Sequence, residues 1–270
     1  MFFFHKNIYQ IQDFLNCQFP FCIHLNLNFS CRKINDELAI QIGQGLSFCT
    51  NLQNLALDIS GDQHQISSEG IKGLTEGLKN CQNLRSLLIN LDYNKLTNEC
   101  IINLTNPFPT IQNLNTLILS FKSCSLGNSM SSLCLSISKC FNLTTLGLVL
   151  NSNGIIKEGF YHLGISIQNC KLLRCFILSF ESNGLVSQDL NELSQHFKNC
   201  KSLRSLKMDL NFNRIQDQGA QDLCQQLIQN SYLYCLKIMM IDNQIKNQVK
   251  FQTIRKLKKM SRLVDFYFKA

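Results

Sequence analysis

Cysteine is the residue type in this sequence with the most chemistry to offer, because thiols form disulfides, bind zinc and act as nucleophiles. The chain of 270 residues contains 14 cysteines. None of them forms the Cys-x-x-Cys pair that zinc sites use, so we expect no metal site. A free cysteine also behaves as a small apolar residue that is readily buried. Five cysteines recur about 30 residues apart, with one interval about twice as long, which favours packing in a repeated unit over redox chemistry: Cys49, Cys81, Cys140, Cys170 and Cys200.

Histidine, the usual general acid or base, occurs five times without a pair at ligand spacing: His5, His24, His64, His162 and His196. The sequence also lacks a Gly-x-x-x-x-Gly-Lys-Ser/Thr phosphate loop, a Gly-x-Ser-x-Gly nucleophile turn and the protein-kinase signatures. We therefore expect a protein that is not an enzyme, with no cofactor and no small-molecule substrate. His196, which stands beside Phe197 in a predicted helix, is expected to be a partly exposed surface residue.

The composition indicates a folded chain, since 45% of the residues are hydrophobic and only 16% are charged. The formal net charge of +8 is modest for this length. The N-terminal apolar run is too short for the core of a signal peptide, and no stretch reaches the ~18 apolar residues of a membrane span. We expect reduced thiols and a cytoplasmic location, with a cytoskeletal or ciliary assembly as a narrower alternative.

A repeated apolar pattern, Leu-x-x-Leu-x-Leu-x-Leu, runs down the chain and determines where these residues can stand. Successive copies begin at nearly equal distances along the sequence. Such regular self-similarity is the signature of a repeat array. The copies begin at Cys22, Leu52, Leu84, Leu114, Leu143, Leu173, Leu203, Leu233 and Leu263.

Each repeat is expected to form one short strand and one helix. In the best-formed copy, Leu206, Met208 and Leu210 alternate with period two, as on one face of a strand. Apolar residues three and four apart then follow, as on a helix: Ala220, Leu223 and Leu227. Residues suited to capping precede the expected helices: Asp36, Ser67, Thr97, Ser187 and Asp217.

Stacking these units predicts an α/β solenoid, a horseshoe with about nine parallel strands on the concave face and helices on the convex face. Residues 1–270 form a single domain: an N-terminal half-unit or cap at 1–21, repeats at 22–262 and a terminal strand at 263–270. Pro107 and Pro109 should shorten one helix and produce an irregular bend or loop. The half-unit should close the core with Phe2, Phe3, Phe4 and the helix-like residues Ile8, Ile11, Phe14 and Leu15.

In five of the repeats an asparagine stands at a fixed distance, ten positions after the strand pattern begins. A buried asparagine at this point can bond backbone groups of the turn, and stacked copies would form a ladder. Cys124 takes the position in one repeat. The others are Asn94, Asn153, Asn183, Asn213 and Asn243.

At these residues the sequence resembles the ribonuclease-inhibitor-like class of leucine-rich repeats, which share the strand motif, the Asn or Cys turn position and a helix of the type Gly219-Ala220-x-x-Leu223. It also resembles the Asn/Gln- and Cys-rich repeat arrays of ciliate proteins, some of which are attached to protein-kinase domains. The resemblance covers about residues 20 to 270. The strand carries one extra alternating pair, so the unit is slightly longer than is usual in that class. The resemblance implies a repeat fold and leaves the partner open.

The concave face is the expected binding surface, because strand residues between the core leucines point away from the helices. An apolar centre surrounded by charges is typical of protein interfaces, although ordinary strand propensity would also explain the apolar residues. We predict a protein-binding site there, formed by Leu88, Asn90, Asp92, Ile118, Ser120, Lys122, Val149, Ile177, Ser179, Glu181, Lys207 and Asp209.

The C-terminal repeat carries a second candidate, a basic surface without the interleaved aromatic residues that stack on nucleic-acid bases. Docking to an acidic partner is one interpretation, but a solvated terminal face is the favoured one, and nucleic-acid binding is not expected. Its residues are Lys250, Arg255, Lys256, Lys258, Lys259 and Arg262. The apolar edge of the terminal strand should be covered by another chain or by further repeats.

The function predicted from these features is a non-catalytic scaffold that holds a protein partner, within a larger assembly, on its concave sheet. One alternative is a regulator of an enzyme, either an inhibitor or a GTPase-activating protein with Arg214 as its arginine finger. The other is the repeat region of a larger kinase-containing protein.

Overall fold

Alternating apolar residues produce ten short strands in the part of the chain that the computed structural model describes. The structure describes residues 4–16, 21–30, 32–62, 65–155, 157–260 and 262–270, with only the backbone described at 4–6. The strands are β1 Phe4–Ile8, β2 Cys22–Asn28, β3 Asn54–Asp58, β4 Ser86–Asn90, β5 Thr116–Ser120, β6 Thr145–Val149, β7 Cys175–Ser179, β8 Ser205–Asp209, β9 Cys235–Met239 and β10 Asp265–Lys269.

Each strand except the last is followed by an α-helix that turns its apolar stripe toward the sheet. In the eighth helix this stripe contains Ala220, Leu223 and Leu227, all buried, as the sequence predicts. The helices are α1 Ile11–Leu15, α2 Asp36–Ser47, α3 Ser68–Leu78, α4 Asn98–Thr105, α5 Met130–Ile137, α6 Lys157–Asn169, α7 Ser187–Ser194, α8 Gln216–Ile228 and α9 Asn247–Leu257.

The strands form one parallel sheet in sequence order, β1 to β10. From β2 onward, equivalent residues of successive repeats lie opposite each other, as Leu206 lies opposite Leu236. Helices are about 10 Å wide while strands lie only about 4.8 Å apart, so a stack with all its helices on one side curves around the sheet. The predicted solenoid is confirmed, and the sheet face directed away from the helices is called the concave face below.

The N-terminal unit contains a strand that the sequence analysis does not predict. Ile8 belongs to β1, not to a helix, and lies opposite Leu27 of β2. Only Ile11, Phe14 and Leu15 of the expected apolar set stand in α1, with Phe14 fully buried. The sheet thus has ten strands rather than about nine in the described chain. Phe2 and Phe3 lie outside the described residues.

The capping prediction is correct at two helices and wrong at three. Ser67 and Thr97 are N-caps that accept hydrogen bonds from the N–H groups of Glu69 and Cys100. Asp36 and Asp217 instead accept from the N–H groups of Ser67 and Lys246, each in the following repeat. The remaining residue, Ser187, donates its hydroxyl proton to the Ile215 carbonyl. These three side chains therefore join neighbouring repeats rather than cap their own helices.

The two prolines shorten a helix, as predicted, without bending the sheet. Helix α4 ends at Thr105, and a 3-10 turn follows at Phe108–Thr110. Phe108 in this turn fills the core position that the last turn of a longer helix would occupy, and it is 1% exposed. Strands β4, β5 and β6 keep a regular register, so the predicted irregularity is this turn and not a bend of the sheet. No helix of the described chain is long and apolar enough to cross a membrane.

Candidate functional site

The concave face carries the residues predicted to bind a partner, arranged in columns that cross the strands. Parallel register places Leu88 opposite Ile118, Ile118 opposite Gly147, and Gly147 opposite Ile177. The next residue in this central column is Lys207. A second column contains Asn90, Ser120, Val149, Ser179 and Asp209.

An apolar patch occupies the middle of the concave face. It consists of Leu88, which is 36% exposed, and the partly exposed Ile118, Val149 and Ile177. Gly147 is buried because the Ile118 side chain lies over it, with both γ carbons 3.2 Å from the position of a Cβ. The patch is therefore continuous across β4 to β7, although one of its central positions has no side chain.

The polar residues beside the patch are partly used in holding the repeats together. The Asp92 Oδ1 atom accepts hydrogen bonds from the Ser120 hydroxyl at 2.6 Å and from the Lys122 N–H at 2.7 Å. Asn90 in turn accepts from the Asp92 N–H at 3.0 Å. Two repeats along, Asn151 accepts from the Ser179 hydroxyl in the same way. Asn90, Asp92, Ser120 and Ser179 thus stabilise the ends of strands as well as lining the surface.

Three further charged side chains, Lys122, Glu181 and Lys207, lie at the border of the patch. Lys122 and Glu181 are partly exposed on one side, and Lys207 is exposed at the end of the central column. Asp209 is also partly exposed, but it accepts the Asn211 N–H at 3.2 Å. This arrangement, apolar in the middle and charged at the border, resembles the core and rim of a protein interface.

Two aromatic residues at the carboxyl ends of the strands were missed from the sequence. Tyr93 and Phe212 are 47% and 52% exposed. Both have positive φ angles, 64° and 55°, which turn the chain out of the sheet. The Lys122 Nζ atom lies 5.7 Å from the Tyr93 ring centre, and the Tyr93 hydroxyl raises the pKa of Lys122. Both residues stand directly before an asparagine of the repeated turn position, Asn94 or Asn213, and this position could have been used to predict their exposure.

A third column at the start of each strand was also missed. The alternation of outward-facing residues that predicts the other columns continues two residues toward the N-terminus of each strand. The third column could therefore have been predicted from the sequence. Asp265, the last residue of this column, forms an ion pair with Lys237 of the central column, in which Lys237 Nζ lies 2.9 Å from Asp265 Oδ2. Lys237 lowers the pKa of Asp265, and Asp265 raises the pKa of Lys237. The column contains His24, Asn54, Ser86, Thr116, Thr145, Cys175, Ser205, Cys235 and Asp265.

The predicted basic surface lies at the last helix and after it. Lys250, Arg255 and Lys256 belong to α9, whereas Lys258, Lys259 and Arg262 follow its end. All of them are exposed except Lys250, which is partly exposed. A shallow cavity of about 210 Å³ lies against this surface, lined by Ile228, Asn230, Ser231, Leu233, Lys256, Lys259, Met260 and Arg262.

The repeated cysteines are packed in the core. Cys81, Cys140, Cys170 and Cys200 are buried, and burial raises the pKa of each thiol to about 12. Their protons point to backbone carbonyls, as the Cys81 thiol donates to Leu46 at 3.4 Å. A thiol with such a pKa is not a nucleophile near neutral pH. The packing interpretation is confirmed for these residues.

The described histidines do not assemble into one site. His162 Nδ1 bonds the Ser131 hydroxyl at 2.9 Å, and His196 Nδ1 bonds Gln168 at 2.8 Å. His196 is partly exposed, as predicted, and burial between α6 and α7 lowers its pKa. The His5 side chain and His64 lie outside the described residues. Within the described chain, no three His, Cys, Asp or Glu side chains are grouped in a way that could hold a metal ion.

A comparison with solved structures finds chains with similar folds. A protein from Bacteroides fragilis matches with a TM-score of 0.54 and 17% identity, over 97% of this chain and 69% of that one. TLR13, solved in complex with ssRNA13, gives a TM-score of 0.46 and 15% identity over 93% and 33% of the two chains. The structure of the yeast Rad7 and Elc1 complex gives 0.42 and 16% over 92% and 70%. No family model and no curated protein matches the sequence.

The identities are low enough that these matches concern the fold alone, and the scores of the second and third carry no further weight. The fold itself is clear from the geometry above. Ten parallel strands in sequence order, a helix after each of the first nine, and a recurring leucine and asparagine pattern define a leucine-rich-repeat solenoid in the described chain.

Proposed function

We propose that this chain is a non-catalytic scaffold that binds a protein partner on the concave face. The observation that carries the proposal is the apolar patch of Leu88, Ile118, Val149 and Ile177, bordered by Lys122, Glu181 and Lys207. Contiguous apolar surface costs free energy in water and is characteristic of interaction sites. A partner with apolar anchors and charges of the opposite sign at its border fits this surface.

The strands support this role by fixing the patch rigidly. Each patch residue lies in the interior of a parallel sheet whose neighbouring backbones are hydrogen-bonded on both sides. A preformed surface loses little conformational entropy on binding, so a modest patch can contribute substantial affinity. Tyr93, whose ring centre lies 5.7 Å from the Lys122 Nζ atom, adds to the border of the patch a rigid aromatic side chain of the kind that often contributes most to binding.

The proposal is tested by an Ile118→Glu, Ile177→Glu double variant. Both side chains point away from the core, so circular dichroism should remain unchanged. The tagged protein is purified from its native cells, and its partner is then titrated against wild type and variant. We expect at least a 10-fold loss of affinity, since two buried charges without partners cost more than the ~1.4 kcal/mol that this factor represents.

Leu135→Glu is the matched control, because Leu135 is 61% exposed on α5 in the repeat that contains Ile118. It introduces the same charge on the helical side. Loss of the partner in the double variant but not in the control supports concave binding. Equal affinities for all three proteins would rule it out.

Regulation of an enzyme is a second candidate function. Arg214 stands exposed after β8, and its N–H donates to the Leu185 carbonyl at 2.8 Å, so the backbone beneath the side chain is fixed. A fixed, exposed arginine suits the role of a finger supplied in trans to a GTPase. An Arg214→Ala variant that leaves GTP hydrolysis by the captured partner unchanged would exclude this role. Attachment to a kinase domain is a further alternative, and a native protein much larger than 30.9 kDa would favour it.

Two narrower features belong to this proposal. The ladder of turn asparagines and the helix with Gly219-Ala220 fit the ribonuclease-inhibitor-like class of leucine-rich repeats. They also fit the Asn/Gln- and Cys-rich repeat arrays of ciliate proteins. The buried free thiols fit a reducing compartment, the cytoplasm or a cytoskeletal or ciliary assembly. Fluorescence microscopy of the tagged protein tests the location, and secretion would contradict it.

A further inference from the structure

The turns that lead from the helices into the strands carry charge of one sign. Between α2 and β10, these turns contain lysines and arginines but no aspartate or glutamate. The turns from strands into helices contain charges of both signs, as Asp92 and Lys95 show between β4 and α4. Because the strands are parallel, all turns of one kind lie along the same edge of the solenoid. One edge is therefore positively charged.

The positive charge is concentrated in three consecutive turns, at residues 138–144, 170–174 and 195–204, which we call the basic edge. All its lysines are exposed, as is Arg174, and Arg204 is partly exposed. Within the described chain, none of these cations forms an ion pair with a carboxylate. The basic edge shares no residue with the basic surface of the last repeat. Its cations are Lys139, Lys171, Arg174, Lys198, Lys201 and Arg204.

Compensation of the helix dipoles accounts for only part of this charge. Helices α5 and α6 end at the basic edge, and α7 continues into it through the 3-10 turn Phe197–Asn199. The C-terminal end of a helix carries roughly −0.5 elementary charge, so three helix ends contribute about −1.5. This is much less than the charge of the six cations. The basic edge therefore keeps an excess of positive charge that an acidic partner can neutralise.

The guanidinium group of Arg204 is held in place by its own turn and by the next one. Its Nη1 atom donates to the Lys201 carbonyl at 2.8 Å and to the Leu203 carbonyl at 3.3 Å. The guanidinium carbon lies 5.2 Å from the centre of the Tyr232 ring. These contacts leave Nη2 and Nε, which can bind the two oxygens of one carboxylate. The Arg204 N–H also donates to the Arg174 carbonyl at 2.8 Å, so the two arginines stand side by side.

A cavity of about 210 Å³ opens between the second and third turns of the basic edge. Lys171 and Lys201 line it, together with Gln168 and Asn199, whose side chains are bonded at 3.3 Å. A carboxylate side chain of a partner can enter this cavity between the two cations.

Exposed apolar residues accompany the cations of the basic edge. Leu172 follows Lys171 directly and is 50% exposed. Phe141, which is 66% exposed, stands in the preceding turn at the position that Lys171 occupies in its own. A segment that fits this surface therefore carries apolar residues as well as negative charges.

We propose that the basic edge binds an acidic segment of a protein partner, in which leucine or phenylalanine residues are interspersed with aspartate and glutamate. Single-stranded nucleic acid fits this surface less well, because its bases stack on several neighbouring aromatic side chains. In these three turns, all of which the structure describes, Phe141 is the only exposed Phe, Tyr or Trp. The basic edge is separate from the apolar patch of the concave face, so this proposal does not depend on the proposed function.

Charge reversal on the basic edge tests the proposal with a defined probe, a fluorescent peptide of four Glu-Asp-Leu triplets. Fluorescence anisotropy measures its affinity for the full chain at physiological salt. The Lys171→Glu, Arg174→Glu, Lys201→Glu variant should bind at least 10-fold more weakly, because it replaces three attractive charges with repulsive ones. A peptide with serine in place of leucine should bind the wild type at least 3-fold more weakly, since it loses the apolar contacts with Phe141 and Leu172.

The matched control changes the net charge by the same amount away from the basic edge. It is a Lys72→Glu, Lys95→Glu, Arg214→Glu variant, whose three positions are exposed. Its affinity for the peptide should stay within 3-fold of the wild type, because surface charges beyond about 8 Å are screened at this salt concentration. Circular dichroism of both variants confirms that the fold is kept.

Several results would overturn the proposal. A wild type that does not bind the peptide excludes it, and equal losses in the two triple variants would show that only net charge matters. Tighter binding of a single-stranded oligouridine of equal charge would assign the basic edge to nucleic acid instead. Tighter binding of phosphatidylserine vesicles would assign it to an anionic membrane surface. Because the probe is a synthetic peptide and not the captured partner, none of these results bears on the concave apolar patch.

Discussion

Buried asparagines at the ends of the strands hold successive repeats together through their side-chain amides. Asn183 Nδ2 donates to the Leu150 carbonyl of the preceding repeat at 2.9 Å, and Asn183 Oδ1 accepts the Asn153 N–H at 2.9 Å. In the repeat where cysteine replaces asparagine, the Cys124 thiol still donates to the Leu91 carbonyl at 3.1 Å. A thiol has no strong acceptor, however, and the Asn94 N–H turns to Leu91 instead.

We predict a graded loss of stability when Asn183 is replaced. Asn183→Ala leaves buried donors and acceptors unpaired and should lower the free energy of unfolding by about 2–4 kcal/mol. Asn183→Cys retains one donor and should cost about half as much. Urea unfolding followed by circular dichroism measures both. Asn142→Ala, at an exposed asparagine with one bond to Gln112, is the control and should cost less than either.

Buried thiols make the stability of this protein sensitive to alkali. Burial raises the pKa of Cys140 and of Cys170 from 9.0 to about 12 in the folded state. Below pH 9 their contribution to stability is fully present, because both states hold the proton. Between pH 9 and about 12 only the unfolded state releases it, so stability falls by about 1.4 kcal/mol per pH unit and thiol.

A Cys140→Ala, Cys170→Ala variant should therefore lose less stability than the wild type when the pH rises from 8 to 10. The expected difference between the two losses is about 3 kcal/mol, measured by urea unfolding under reducing conditions. Other titrating groups are the same in both proteins and cancel in the comparison. Parallel losses in the two proteins would mean that these thiols ionise in the folded state.

At the scale of elements, glycines determine how closely the first full helices pack. A Cβ at Gly77 in α3 would overlap the Gly43 carbonyl oxygen in α2, and a Cβ at Gly43 would overlap the Gly73 carbonyl oxygen. The obstacle in both cases is backbone, which cannot move without separating the helices. In α6 the obstacle to a Cβ at Gly164 is the ring of His196, a side chain.

We predict that Gly77→Ala destabilises the protein by about 1–3 kcal/mol, although alanine favours a helix by about 1 kcal/mol over glycine. Gly164→Ala gains the same helix preference and should cost less, because the His196 ring can move. Thermal or urea unfolding of the two variants tests the difference. A stabilised Gly77→Ala protein would show that the two helices are not in backbone contact.

The recurring strands and helices could be predicted from the sequence because each repeat buries apolar residues at the same positions of its strand and helix. Leucines at a period of two mark strands, and the Asn and Cys columns mark buried positions in most of the repeats. The N-terminal unit lacks this support. Strand β1 does not contain the leucine pattern, and its register with β2 shifts between Phe4 and His5. The spacing of the repeats therefore could not predict this strand.

The candidate site could be predicted only in part. The alternation of inward and outward residues along each strand predicts its columns, but the side-chain hydrogen bonds join residues of different repeats and are not visible in the sequence pattern. Alternation places Asp92 and Glu181 on the concave face. It does not show that Asp92 is occupied by the Ser120 hydroxyl and the Lys122 N–H, since both belong to the next repeat. The exposed ring of Tyr93 depends on a positive φ that recurs directly before each Asn or Cys turn position, so the repeat spacing could have indicated it.

At the scale of the whole molecule, the stacked repeats have two different surfaces, the helices on one side and the concave face of the sheet on the other. Helices on the convex side and side-chain ladders between repeats stabilise the array, while the concave face displays one apolar patch on a rigid sheet. We propose that a protein partner contacts this patch. A direct test places a photo-reactive amino acid at the Ile118 position and, separately, at the Leu135 position of the same repeat.

Irradiation in the native cells should join the partner to the protein labelled at the Ile118 position, on the concave side of β5. The protein labelled at the Leu135 position, on the outer side of α5, should give no such product. Cross-linking of the same partner at the Leu135 position alone would contradict the account and would place the interface on the helices.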